Sequence, residues 1–364
     1  MARIVIIDPI GCHSGMKYYY NSFKGLFIKD TDVTFEILSN YNEEGLSPFF
    51  SDFFVGNTII RVIKVLWIGI KLLFKTLFDR MPTYIYLSYG TVIDAFFLTC
   101  TIFAKNRIID CHEVILQGSE SNRFYNWLFK HIYKHCHKVI IHSEHGKDML
   151  QKVHYTGDCF QVPHFRYIES NSYNGDNIDQ DVFNCINDTS VNLLFFGNIT
   201  YNKGVDLLIE AANRLSTEIK KQIRVIIAGR AVDDTIYRYT HITEGSDMYK
   251  VIIRHLNDDE MKYLYVKSDF VALPYRITYQ SGVLEMAFNF RKPIIASPIP
   301  YFNATIDKYP SFGIIADFSD SSFQNTIEYL LTCKPSSFFR DNDLFNYYHQ
   351  DSMAHFHDWL MSYL

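Results

Sequence analysis

Short apolar runs alternate with longer amphipathic stretches along the chain, and that alternation sets the expected architecture. Arg3 to Asp8 (RIVIID), Val33 to Leu38, Tyr84 to Tyr89 (YIYLSY), Arg107 to Cys111 (RIIDC), Lys138 to Ser143 (KVIIHS) and a last run ending at Phe160 to Pro163 read as buried strands, with helices between them. The second half repeats the scheme: strands over 191–196, 223–228, 251–253, 269–273, 293–297 and 312–316, and helices over 204–216, 258–267 and 282–290. Strand and helix in regular succession predict parallel sheets covered by helices on both faces. Between the halves, Glu169 to Ser190 (ESNSYNGDNIDQDVFNCINDTS) is polar, turn-rich and acidic, which is a linker composition. The expected division is therefore 1–168, a linker at 169–190, and a second domain over 191–339. A helical, aromatic tail follows from about Phe338.

One stretch organises the rest. Leu193 to Ala212 (LLFFGNITYNKGVDLLIEAA) begins in an apolar run that stops at Gly197. From Gly204 the period changes: Val205, Leu208, Ala211, Ala212 and Leu215 share one helical face, opposite Asp206, Glu210, Asn213 and Arg214. Strand, glycine turn and helix in that order point free N–H groups at an anion, and Lys203 stands at the same mouth. A βα unit whose lysine has no ligand fits this stretch equally well.

A different pattern marks Thr58 to Arg80 (TIIRVIKVLWIGIKLLFKTLFDR). Arg61, Lys64, Lys71 and Lys75 line one side of the expected helix, and Ile, Val, Leu, Trp and Phe fill the remainder. The charges interrupt any run long enough to span a bilayer. A basic helix with a wide apolar face suits the membrane interface, the alternative being a core-covering helix whose lysines snorkel outward. Ser121 to Lys138 is a second basic, aromatic helix. Its His131, His135, Cys136 and His137 offer no third ligand at a recognised metal spacing, so a solvated or lipid-facing basic face is expected there.

Composition narrows the partners. At 364 residues the chain can hold two full cores. A net charge of −5 argues against a nucleic-acid binder held by bulk charge. The seven cysteines are scattered without a C-x-x-C, which suits reduced thiols in a cytoplasmic protein. Met1-Ala-Arg runs straight into a strand, leaving no visible secretory signal.

The pattern from Gly197-Asn198 to Lys203-Gly204, followed by VDLLIEA, resembles the family 4 glycosyltransferases of GT-B fold, where the strand leads into Gly-Arg-x-x-x-x-Lys-Gly and a helix. Asn198 stands at the family's Arg. LPYRITYQSGVLEMAFNFRKPIIAS, Leu273 to Ser297, resembles the same family's donor-site loop and helix. The resemblance covers the C-terminal half well and the N-terminal half by layout alone. It implies an α/β protein of GT-B fold, two Rossmann-like domains with parallel sheets facing a central cleft, and a tail from about 340–364 returning to the first domain.

It also implies a chemistry. The enzyme would be a retaining, metal-independent hexosyltransferase, moving a sugar from a UDP- or GDP-linked donor to a glycan. The basic helices suggest a lipid-linked glycan acceptor at the inner membrane surface, in bacterial surface-polysaccharide synthesis. Donor contacts are expected from Gly15, Gly197, Asn198 and Lys203, and from the amides of Ser281, Gly282 and Val283 at a helix start. Arg276 is expected to supply the charge missing at Asn198. His112, after the Arg107 strand, is a candidate for contact with the donor sugar or acceptor hydroxyl, or else a loop histidine. The family's two glutamates, with seven residues between them, fall here at Met286 and at Ile277 or Thr278. Glu285, one residue before Met286, either replaces one of them or serves the helix dipole. No cofactor or metal beyond the donor is expected. The alternative is a non-catalytic GT-B scaffold subunit at the membrane.

Overall fold

The computed structural model describes all residues except 1, 12–15, 41–46, 51–52, 54–55, 117–118, 120–121, 163, 166–169, 334 and 349–350. The chain divides into two compact units, Met1–Arg166 with Tyr348–Leu364, and Tyr167–Tyr347. Gly15 lies outside the described residues.

The first unit is built on a parallel sheet in the order β3-β2-β1-β4-β5-β6-β7. Its strands are β1 (Ala2–Asp8), β2 (Val33–Ser39), β3 (Ser47–Pro48), β4 (Thr83–Tyr89), β5 (Asn106–Glu113), β6 (Lys138–Ile141) and β7 (Asp158–Gln161). Ile4 to Ile7 and Tyr84 to Leu87 are buried, as strands covered on both faces must be. Order reverses between β1 and β4, and parallel sheets bind ligands beyond the carboxyl ends of strands at such a point. Residues 348–364 complete this unit. Trp359 Nε1 donates to Asp158 at 3.0 Å, His357 pairs with Asp30 at 2.9 Å, and Phe356 packs among Phe23, Phe160 and Phe165.

The second unit repeats the plan with β10-β9-β8-β11-β12-β13. Its strands are β8 (Val191–Phe196), β9 (Ile223–Gly229), β10 (Tyr249–Ile253), β11 (Phe270–Leu273), β12 (Ile294–Ala296) and β13 (Gly313–Ile315). Here the order reverses between β8 and β11. The described part of the polar stretch, 170–190, is folded onto this unit: Asn174 and Asn177 donate to Asp259, Tyr263 donates to the Phe183 carbonyl, and Cys185 is fully buried. Polarity there serves side-chain hydrogen bonds rather than solvation alone.

The helix Thr58–Phe78 has two apolar faces. Ile68, Leu72 and Thr76 face the core, while Ile59, Ile63, Leu66, Trp67, Ile70, Phe74 and Phe78 are exposed. Its cations are less free than their spacing suggests. Lys75 pairs with Glu36 at 2.8 Å, and Lys71 reaches the Phe49 carbonyl at 3.3 Å. Among the described residues, no helix is long and apolar enough to cross a membrane.

Candidate functional site

In the second unit the loops leaving β8 and β11 meet at the switch point, and two glycines make the meeting possible. Gly204 takes the left-handed conformation (φ 66°), and a Cβ there would stand 1.9 Å from the Pro274 carbonyl oxygen. Gly197 has φ 106°, and its Cβ position lies 3.3 Å from the Val283 side chain. Arg276 N–H donates to the Asn202 carbonyl at 2.9 Å, tying the two loops through backbone.

Those constraints bring several expected residues together. The Lys203 ammonium lies over the Tyr275 ring, 3.8 Å from its centroid. Tyr275 is buried, and burial pushes its phenol up while Ser281 beside it pulls it back. Ser281 caps the helix Gly282–Asn289 by accepting from the Leu284 N–H at 3.3 Å. That leaves the amides of Gly282 and Val283, which have no intrahelical acceptor, at the mouth. Asn198 is exposed at the end of β8.

Two expectations change. Arg276 is not an available cation. Its guanidinium makes a bidentate pair with Asp206, at 2.8 and 2.6 Å, donates to the Tyr201 carbonyl at 2.7 Å, and stacks on the Tyr201 ring. It latches the helix Val205–Asn213 to the opposite loop, and the carboxylate cancels its charge. Glu285 is fully buried and accepts from the Tyr347 phenol at 2.8 Å. The contact anchors Tyr347 to the first turn of the helix, where the acid also suits the dipole.

His112 lies in the first unit within a knot of ionisable groups at the carboxyl ends of β1, β4, β5 and β6. Asp110 and His112 share one face of β5, as residues two apart on a strand do, while Cys111 faces Tyr133 on the other side. The His112 ring stacks on Tyr89 and lies 5.0 Å from the His142 ring. Its side chain is 3% exposed, and Nε2 is 4.0 Å from Asp110 Oδ1. His112 is therefore an interior histidine rather than a loop one.

His142 Nε2 stands 2.8 Å from the same oxygen, and its Nδ1 is 3.1 Å from the Val162 carbonyl. Both ring nitrogens thus stand against oxygens, which fixes the orientation of the ring. Burial alone would raise Asp110, but His142, then His112 and the Tyr19 phenol, outweigh it and hold the carboxyl below its usual range. Asp8, ending β1, behaves oppositely. Its burial raises the carboxyl to about 7 despite donors from Tyr20 (2.5 Å), Tyr89 (2.9 Å) and the Ile10 amide (3.2 Å).

Sequence reasoning missed Asp8, Asp110 and His142. The signal was present, since RIIDC and KVIIHS each end a strand on an ionisable group, at the edge where ligands bind. Among the described residues two groups have the spacing of metal ligands, Asp110 with His112 and His142, and Asp179 with Asp181 and Glu260. The Arg254 guanidinium contacts all three acids of the second group. In the first, 2.8 Å between Nε2 and Oδ1 is the length of a charge-assisted hydrogen bond. The His131, His135, Cys136 and His137 set does not converge as ligands: His131 Nδ1 is 2.7 Å from the Trp127 carbonyl, and Cys136 is buried beside Lys138.

Comparison with known proteins adds the chemistry. The family model described as Glycosyl transferases group 1 matches residues 190–333. No curated protein matches the chain. Among solved structures, sucrose-phosphate synthase from Thermosynechococcus elongatus superposes with TM-score 0.69 at 13% identity, over 100% of this chain and 98% of that one. A glycosyltransferase from Rickettsia africae gives 0.64 at 14%, over 100% and 97%. Anabaena HepE in complex with UDP gives 0.60 at 12%, over 99% and 98%. At such identities the structures speak for the fold, and the family model speaks for the second unit. The chain thus has the GT-B fold and carries a glycosyl transferases group 1 domain within its second unit: it is a glycosyltransferase.

Proposed function

We propose that the second unit binds a nucleotide-diphosphate sugar with its diphosphate at Lys203 and the amides of Gly282 and Val283. The enzyme moves the sugar with retention to a lipid-linked glycan held by the first unit, in surface-polysaccharide synthesis. One observation carries the donor assignment: Lys203, Tyr275, Ser281 and Val283 gather at the β8/β11 switch point around an ammonium and a helix start. These groups would neutralise the charge that builds on a departing diphosphate, the main demand in breaking a sugar–phosphate bond. The reading agrees with the UDP held by HepE. Calorimetric titration of the full chain with UDP and GDP tests it. An enzyme binds one of them, whereas binding of neither would favour a scaffold subunit.

The membrane part of the proposal rests on the outer face of Thr58–Phe78. Exposed Ile102 and Phe103, and Phe124 and Trp127 on the helix Arg123–Lys134, extend the apolar surface of this unit. Arg61 and Lys130 are exposed cations on the same helices, and cations beside exposed aromatics suit an anionic bilayer surface. Trp67→Ser with Phe74→Ser should cut sedimentation with anionic vesicles about tenfold or more, each ring contributing on the order of 1–2 kcal/mol. Neither side chain is buried, so the melting temperature should hold. Equal sedimentation of wild type and double variant would remove the membrane role.

A further inference from the structure

We infer that Arg230 is a second cation on the donor diphosphate, an assignment that rests on the donor site proposed above. The loops leaving β8, β9 and β11 pair most of their charges with one another. Arg276 is cancelled by Asp206. Asp233 accepts from the Tyr201 and Thr235 amides at 2.7 and 3.0 Å, and Asp234 holds Arg238. The acids of these loops are thus committed. Lys203 rests on an aromatic face, and Asn198 is uncharged. Arg230 is exposed, and among the described residues its guanidinium has no carboxylate partner.

Its position is fixed by backbone. Gly229 has φ 147°, and a Cβ there would stand 1.9 Å from the Gly197 carbonyl oxygen, so only glycine lets β9 end against β8 this closely. Gly197 N–H donates to the Ala228 carbonyl at 3.0 Å, Ile199 N–H to the Arg230 carbonyl at 2.9 Å, and Val232 N–H to the Ile199 carbonyl at 3.0 Å. Arg230 therefore leaves the chain one strand spacing, about 4.8 Å, from Asn198. Gly197 in turn touches Val283, whose amide belongs to the proposed phosphate mouth. A long side chain at that point, with no carboxylate partner among the described residues, offers a planar guanidinium fork that can bind two oxygens of a phosphate.

The test uses Arg230→Ala, Arg230→Lys and Arg276→Ala in the full chain, titrated with UDP, GDP, uridine and guanosine at two salt concentrations. Arg230→Ala should weaken the preferred diphosphate about tenfold or more, leave its nucleoside unchanged and flatten the salt dependence. Arg230→Lys should restore part of the loss. Arg276→Ala should instead lower the melting temperature, because it breaks the latch between loops. If wild type binds neither diphosphate, the donor site itself fails. If wild type binds and Arg230→Ala binds as tightly, the donor site stands and the role of Arg230 falls. Equal losses for diphosphate and nucleoside would also overturn it, since they would indicate a disturbed loop.

Discussion

Lys203→Ala should lower kcat/KM for sugar transfer by about a thousandfold while leaving the fold intact. The ammonium rests on the Tyr275 face at 3.8 Å and is half-buried at the mouth where the β8 and β11 loops meet. A cation placed against a departing diphosphate gains strength as charge develops, and removing one such preorganised contact costs on the order of 10²–10³ in rate. Ground-state affinity for UDP or GDP should fall less, roughly 10–100-fold, as for a lost charge-assisted hydrogen bond. Tyr275 keeps its burial without the lysine, so the melting temperature should change little. Turnover within a factor of three of wild type would show that the ammonium faces no phosphate.

Asp8→Asn should make the protein more stable at pH 8 by about 4 kcal/mol and change little at pH 4. The carboxyl is raised from 3.8 to about 7, chiefly by burial, with the nearby charge of Asp94 adding to it. Between these values the native state keeps a proton that the unfolded chain has released. Stability therefore falls as pH rises from about 4 to 7 and then levels off. Asparagine removes the penalty and keeps Oδ1 as the acceptor for the Ile10 amide, while its NH2 replaces the oxygen that accepts from Tyr20 and Tyr89 and donates to those phenol oxygens instead. Other groups titrate with opposite signs: burial, then the charges of His142 and His112, holds His164 well below its usual value, which makes stability rise with pH below about 6.5. The difference between wild type and variant isolates Asp8. Urea unfolding at several pH values measures it, and parallel stability curves would mean that the buried carboxyl titrates normally.

How far the sequence could be read depended on distance along the chain. Apolar periodicity placed the helix at Asp258–Lys267 without error, and the helix expected at 282–290 runs Gly282–Asn289. Such elements are specified by residues three or four apart, which is information a single sequence carries locally. The strand expected at Arg107 to Cys111 runs on through Glu113, because His112 packs against Tyr89 and His142 rather than turning into a loop. The contacts that a local pattern could not foresee are polar pairings across long separations. Arg276 meets Asp206 seventy residues away, Glu285 meets Tyr347 sixty-two residues away, and Asp110 meets Tyr19 ninety-one residues away. Nothing in local periodicity says which carboxylate an arginine will choose. The glycines were more informative: Gly197 and Gly204 stand where one backbone approaches another, and their positions could be seen before the contact was known.

The closing segment has a consequence for how the molecule assembles during translation. Residues 348–364 belong to the first unit, although everything between 167 and 347 belongs to the second. Leaving the ribosome, the leading sheet waits for Phe356, Trp359 and Tyr363 until all of the following unit has emerged. Until then the hydrophobic flank around Phe23, Phe160 and Phe165 stays uncovered. A gene cut at the midpoint would yield a front fragment missing its own lid, so the two halves cannot be studied as separately expressed pieces unless that last helix is spliced back on.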